Sequence, residues 1–189
     1  MNPSVLFLII VFLSVVGYFL GRQKAFRVGE RAQGVRYMHS KPTYYGALTA
    51  LWCGLPALLI MGVYLTVGPN VVMNLVIDGL PPEIRELPED RLNLVVNNIS
   101  NLVSGNIISG EKSPDLMAAA DRYRRLTATG NAALTVVALT IAIVAILLVR
   151  QRINPRLRAR NQVERLIQVL LIVCSTIAIF TTIGIVLSV

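Results

Sequence analysis

The sequence is short of charged residues: 15% of its 189 positions are Asp, Glu, Lys or Arg, whereas 54% are hydrophobic. Soluble globular domains carry charge at about a quarter of their positions, so this composition excludes an ordinary soluble domain. Four apolar runs contain no Asp, Glu, Lys, Arg or His, namely 5–20, 44–67, 132–149 and 166–189. Because about 20 apolar residues cross the hydrocarbon core of a bilayer, each run predicts a membrane span.

Residues that build chemical sites are equally scarce. Two cysteines, Cys53 and Cys174, lie inside apolar runs and define no disulfide framework. The single histidine, His39, has no neighbouring metal ligands. Glu89 and Asp90 are typical of a helix start rather than of an acid/base pair. We therefore predict no catalytic, cofactor-binding or metal-binding residues, and nothing in the sequence indicates an enzyme.

The spans also lack ionisable groups, which usually mark an ion path or proton relay within a membrane. A phosphate or cation pathway built only from these four helices is therefore not expected. The first run resembles a signal peptide in length, but no basic residue precedes it and no small-x-small cleavage site follows it. An uncleaved span is the better interpretation.

Basic residues are distributed unevenly along the chain. The segments 21–43 and 150–165 each contain six basic residues and one acid, whereas 68–131 contains eight acids and six bases. Nucleic-acid binding would require one contiguous basic face and is not expected despite the net charge of +8. The positive-inside rule places both short basic segments in the cytoplasm, with segment 68–131 and both termini outside. Arg122, Arg124 and Arg125 oppose this orientation, but long segments translocate largely regardless of charge.

Segment 68–131 predicts a small helical cap rather than a disordered tail. Its first apolar stripe recurs at helical spacing, at Leu92, Val95, Val96, Ile99, Leu102 and Val103. Gly105 and Gly110 bracket a break, and Ser113-Pro114-Asp115 is typical of a helix start. The second stripe comprises Leu116, Ala119, Ala120, Tyr123 and Leu126. Two short helices can therefore pack as a hairpin.

Small residues recur at four-residue spacing in three spans. They are Gly17 and Gly21; Gly46, Ala50 and Gly54; and Ala138 and Ala142. Such faces allow close helix contacts in membranes, although glycine and alanine are also simply common there.

Three other features of the spans have simple structural interpretations. Pro56 predicts a kink near Leu55. Hydroxyl groups on the fourth span, at Ser175, Thr176, Thr181 and Thr182, are expected to bond to their own helix. Tyr37, Tyr44 and Tyr45 are interpreted as interfacial anchors.

Two stretches resemble a known family. Met38-His-Ser-Lys-Pro-Thr-Tyr-Tyr-Gly-Ala-Leu-Thr-Ala-Leu-Trp52, followed by Gly54-Leu-Pro-Ala-Leu58, resembles the N-terminal extension of phosphate ABC transporter permeases of the PstC type. Ala159-Arg-Asn-Gln-Val-Glu-Arg-Leu-Ile167, continued through Ile179-Phe-Thr-Thr-Ile-Gly-Ile185, is similar to the entry into the core of that permease. The Trp52 stretch is the more distinctive of the two.

The resemblance implies an all-α integral membrane protein of the bacterial inner membrane, with four transmembrane helices and a helical extracytoplasmic cap. Residues 1–149 would form a membrane extension, and 150–189 a cytoplasmic basic hinge and the first helix of the permease core. Its partners would be the lipid bilayer, an ABC ATPase subunit, a second permease subunit and an extracytoplasmic phosphate-binding protein. Further core helices and the coupling segment of such permeases are not present, so the resemblance implies a fragment or the product of a split gene. In either case the chain is not expected to transport alone.

Two other functions fit the same pattern. One is a sensory input module, in which the cap reports a ligand to a cytoplasmic output domain. The other is a four-helix membrane scaffold that binds partners through its glycine faces. The coding sequence downstream would distinguish these alternatives, since it would encode further spans, an output domain or a stop.

Overall fold

Six helices make up the part of the chain that the structure, a computed structural model, describes: residues 2–31, 38–85, 88–105 and 114–188. The helices are α1 (Pro3–Arg31), α2 (Pro42–Ile77), α3 (Pro82–Arg85), α4 (Glu89–Ser104), α5 (Pro114–Arg152) and α6 (Ala159–Ser188). No strand occurs within these ranges. The expected all-α fold is confirmed.

Four helices, α1, α2, α5 and α6, are long and apolar enough to cross a membrane, and each contains one of the predicted spans. The chain is a membrane protein. The helices are longer than the apolar runs, however. α1 continues through the first basic residues to Arg31, and α2 continues past Gly68 and Pro69 to Ile77. The helices can extend beyond the apolar runs because an α-helix keeps its backbone hydrogen bonds in water as well as in lipid.

The second helix of the predicted hairpin is not a separate short helix in the structure. α4 is a separate short helix, but residues 114–126 form the beginning of the 39-residue helix α5, which continues into the third span. The predicted start at Pro114 and the break at Gly105 are confirmed. Gly105 adopts φ 76°, the left-handed conformation that favours glycine, and its N–H donates to the carbonyl of Asn101. Ser113 and Gly110 lie outside the described residues.

The helices form two compact units. The first comprises Met1–Leu8 and Leu58–Leu139, and the second comprises Ile9–Ala57 and Thr140–Val189. A hydrophobic cluster in the first unit joins both predicted stripes to the end of α2. Its buried members are Val76, Leu80, Ile99 and Ala119. The predicted packing of the two stripes is thus confirmed, and the last turns of α2 complete a small core that neither stripe encloses alone.

Polar contacts at the edge of this core fix α4 and α5. The Arg124 guanidinium donates to the Leu102 carbonyl at 3.0 Å and lies 3.5 Å from the Asp121 carboxylate. A side chain at Gly79 would overlap the Arg122 guanidinium. Of the three arginines that precede the third span, Arg124 therefore contacts α4 and Arg122 lies against the turn that follows α2.

Candidate functional site

Small residues place α1 against α2 in the second unit. A β-carbon on Gly46 would lie 2.8 Å from the Tyr18 carbonyl oxygen, and one on Gly21 would lie 2.9 Å from the Tyr45 carbonyl oxygen. A β-carbon on Gly54 would lie 2.6 Å from the Ser14 hydroxyl oxygen. These distances are too short for any side chain, so the glycines act as a specific contact surface and not merely as common membrane residues.

The third span takes part in the same packing. A β-carbon on Gly17 would meet Ile146 at 3.4 Å and Thr49 at 3.6 Å, which are ordinary contacts. Ala142 is fully buried in this unit, and Ala138 is fully buried in the first unit. The four-residue spacing of small residues therefore identified the buried faces of α1, α2 and α5.

Tyr45 joins the two basic segments. Its side chain is fully buried, and its hydroxyl donates to the Leu157 carbonyl at 2.9 Å, with the Asn154 carbonyl at 3.4 Å. The interpretation of Tyr45 as an interfacial anchor is wrong, because its ring lies in the protein core and its hydroxyl orders the turn between α5 and α6. No pattern in the sequence distinguishes Tyr45 from Tyr44, which is half-buried and makes no hydroxyl bond within the described residues.

Backbone contacts extend this connection. The His39 N–H donates to the Pro155 carbonyl at 3.0 Å, and the Arg160 N–H donates to the Ser40 hydroxyl at 3.2 Å. An apolar cluster underlies these bonds, with buried members Ala25, Met38, Tyr45, Leu48, Ile153, Ala159 and Val163. We call this region the junction: the end of α1, residues 38–45, and the turn 153–159 with the start of α6. Both basic segments therefore contribute to one packed body.

Basic residues are concentrated in the two chain segments that contribute to the junction. Those within the described residues are Arg22, Lys24, Arg27, Arg31, Lys41, Arg150, Arg152, Arg156, Arg158, Arg160 and Arg165. The Arg160 Nε lies 2.6 Å from a Glu164 carboxylate oxygen, and this is the one ion pair that the described part of this unit contains. The junction therefore presents a surface of strong positive potential.

Helix α6 leaves the junction with its apolar surface uncovered. Its buried residues are Ala159 and Val163, and every described residue from Ile167 to Ser188 is exposed. The hydroxyls of Thr176, Thr181 and Thr182 donate to carbonyls of their own helix at 2.8–2.9 Å, as expected. Because none of the described helices covers it, the apolar part of α6 is available to contact lipid or another protein.

The remaining residues singled out in the sequence lie at separate positions in the fold. His39 is exposed and contributes only its backbone to the junction. Cys53 is buried and Cys174 is exposed on α6; both are free thiols. Asp90 lies in the first turn of α4, and Tyr37 lies outside the described residues. Within those residues no group of His, Cys, Asp or Glu could hold a metal ion.

Comparison with known proteins gives a family. A family model described as "Phosphate ATP-binding cassette transporter" matches residues 7–181, a stretch that begins in α1 and ends in α6. No curated protein and no solved structure matches the chain. The family match includes the glycine contacts, the cap helices and the junction. The chain therefore belongs to the phosphate ATP-binding cassette transporter family.

Proposed function

We propose that the chain is a membrane-embedded part of the permease subunit of an ATP-driven importer of inorganic phosphate. The observation that carries this proposal is the contrast between α6 and the other spans. α1, α2 and α5 each bury an inward face, whereas the apolar window of α6 buries nothing in this chain. A helix held firmly at one end and uncovered along its length is suited to entering an assembly with further helices.

The junction supports the same role. Tyr45 and Ser40 fix the turn from which α6 begins, so the direction of α6 is set by packed contacts rather than by a flexible linker. In a permease, α6 would be the first core helix, and the N-terminal helices would serve as a membrane extension that anchors it. We propose that residues 150–189 supply the basic hinge and this core helix, and that residues 1–149 form the extension.

Charge supports the orientation of this arrangement. Both basic segments meet at the junction, and the positive-inside rule places such a concentration of arginine in the cytoplasm. The cap core in the first unit, both termini and the chain segment 68–131 would then be extracytoplasmic. In a bacterial inner membrane, this orientation turns the cap towards an extracytoplasmic phosphate-binding protein and the junction towards an ABC ATPase, with a second permease subunit beside α6.

The chain is not expected to move phosphate alone, because its apolar runs contain no ionisable side chain that could pair with the anion. Deleting the gene should abolish high-affinity uptake of radiolabelled phosphate, and the plasmid-borne gene should restore it; sulfate uptake serves as the control. The purified chain in proteoliposomes should show no uptake. Unchanged phosphate uptake in the deletion strain would refute the proposed function. Phosphate uptake by the isolated chain would refute the requirement for partner subunits.

The cap can be tested separately. Replacing residues 68–131 by a short flexible linker should weaken docking of the phosphate-binding protein to the assembled transporter, measured by surface plasmon resonance in nanodiscs. Docking and uptake equal to those of the intact chain would show that the cap has another role.

A further inference from the structure

We propose that the second unit binds the headgroup phosphate of an anionic glycerophospholipid, with Arg22 as the residue that holds it. The exposed apolar stripe of α1 below Arg22 would receive an acyl chain. This inference does not depend on the transport role, since it requires only a membrane-embedded α1 and the charge around the junction.

Arg22 has an unmet hydrogen-bonding group. Its Nε is buried and has no hydrogen-bond partner within the described residues. Its guanidinium carbon lies 5.6 Å from the centroid of the Phe26 ring, one helical turn further along. A buried donor without a partner is costly, and a guanidinium matches the geometry of a phosphate with two parallel N–H bonds. Because the Nε itself has no exposed surface while the residue is only half-buried, a change of the Arg22 rotamer would bring the guanidinium to a phosphate at the helix surface and give the Nε a partner.

The position of Arg22 along α1 corresponds to the depth of lipid phosphates. It is the first charged residue after the uncharged run 5–20, and only Gly21 separates it from that run. At a rise of about 1.5 Å per residue, such a run crosses most of the hydrocarbon and ends near the headgroups. Arg150 and Arg165 occupy the corresponding positions beside the third and fourth runs.

An apolar stripe on the same face of α1 distinguishes a lipid from a free phosphate ion. Phe12, Val15 and Phe19 precede Arg22 by ten, seven and three residues, so they share its face of the helix. Their side chains are 67%, 49% and 54% exposed. A free phosphate ion would gain no binding free energy from these apolar side chains. An acyl chain attached to the bound phosphate would lie along them and bury apolar surface.

The surrounding charge complements an anionic lipid. Arg160 is the one base of the junction with a carboxylate partner in the part of the chain that the structure describes. A zwitterionic lipid brings its own cation to this surface, but a phosphatidylglycerol headgroup brings a net negative charge. We therefore commit to an anionic glycerophospholipid of the leaflet that contacts the junction.

The test uses the full chain in detergent micelles, with lipid retention measured by native mass spectrometry. Phosphatidylglycerol and phosphatidylcholine with identical acyl chains are the probes, and inorganic phosphate is added as a competitor. The wild type should retain phosphatidylglycerol in preference to phosphatidylcholine. Arg22→Gln should weaken this retention by about tenfold, and Arg22→Lys, which keeps the charge but lacks Nε, should fall between the two.

Arg27→Gln is the matched control, because it removes the same charge from an exposed position on the same helix and should weaken retention much less. Equal losses for both Gln variants would show diffuse charge attraction and overturn the site. Displacement of the lipid by millimolar phosphate would indicate a free-anion site and also overturn it. Loss of ATPase co-purification with unchanged lipid retention in Arg22→Gln would assign the surface to a protein. A circular dichroism spectrum equal to that of the wild type, together with partial lipid retention by Arg22→Lys, would show that the loss in Arg22→Gln is not caused by misfolding.

Discussion

Replacing Gly21 by alanine tests the α1–α2 contact most directly. The new methyl group would overlap the Thr49 hydroxyl and lie 2.9 Å from both the Thr49 β-carbon and the Tyr45 carbonyl oxygen. That hydroxyl already donates to the same carbonyl at 2.8 Å, so neither group can move without breaking a buried hydrogen bond. Overpacking of this kind costs about 1–3 kcal/mol. Alanine favours a helix over glycine by roughly 0.5–1 kcal/mol, which offsets part of the cost.

The matched control is Gly62→Ala on α2. A β-carbon at Gly62 would meet no atom within 4 Å, so this variant has the propensity gain without the overlap. Comparing the two variants separates the steric term from the helix propensity. We expect Gly62→Ala to be neutral or slightly stabilising and Gly21→Ala to be destabilising. Adding Thr49→Ala to Gly21→Ala should restore only part of the stability, because the Tyr45 carbonyl remains close.

Cysteine labelling provides the assay. Cys53 is buried four residues after Thr49, and Cys174 is exposed on α6. In detergent, the rate at which a maleimide labels Cys53 reports how often this contact opens. The steric term of about 1–3 kcal/mol corresponds to a roughly 5- to 150-fold change in rate, so Gly21→Ala should fall below this range by the propensity offset of roughly 0.5–1 kcal/mol. Cys174 should be labelled at the same rate in all variants. If Cys53 in Gly21→Ala reacted as slowly as in Gly62→Ala, the close contact would be refuted.

Three further predictions concern the junction, the cap and the orientation. Tyr45→Phe should lower the free energy of unfolding by about 1 kcal/mol through loss of the bond to Leu157, measured by thermal denaturation in detergent, whereas Tyr44→Phe should have no effect; equal effects would contradict the role of Tyr45. Ile99→Ala, at a fully buried cap position, should cost about 2–5 kcal/mol in denaturant unfolding, and Leu94→Ala, at a position 63% exposed, should change it by less than about 0.5 kcal/mol; similar losses would mean that the cap core is absent in solution. An alkaline phosphatase fusion near Ser104 should be active and a fluorescent protein fused near Asn154 should be bright, because the proposed orientation puts residue 104 outside the cell and residue 154 in the cytoplasm; an inactive phosphatase together with a dark fusion would overturn the orientation.

The cap was accessible to prediction because it is an aqueous structure. Water drives apolar side chains to one face, so the stripes through Ile99 and Ala119 recur at helical spacing and end up in one core. Pro114 and Gly105 mark backbone positions with particular conformational demands, and both became helix boundaries. The local pattern did not indicate that residues 114–126 continue into the third span, because Gly130 and Asn131, residue types that commonly end a helix, lie between them and the span. In the structure both residues lie inside α5.

The candidate site was predictable only in part. Four-residue spacing identified the faces of Gly21 and Gly46, since close helix approach in lipid requires small residues. The role of Tyr45 was not predictable, because tyrosine at the end of a span serves equally well at the interface or in the core. Its burial depends on residues 153–159, which lie more than a hundred positions away in the chain.

Composition and apolar run length alone determined that the chain is a membrane protein with four spans, because the bilayer demands about 20 uncharged residues per crossing. The clustering of arginine alone predicted that segments 21–43 and 150–165 lie on the same side of the membrane. Tertiary structure decided how they meet: through the Tyr45 hydroxyl, the Ser40 hydroxyl and a shared apolar cluster. It also decided that α6 leaves this junction without a covering helix, because a span that is apolar on all sides has no hydrophobic face from which its partners could be inferred.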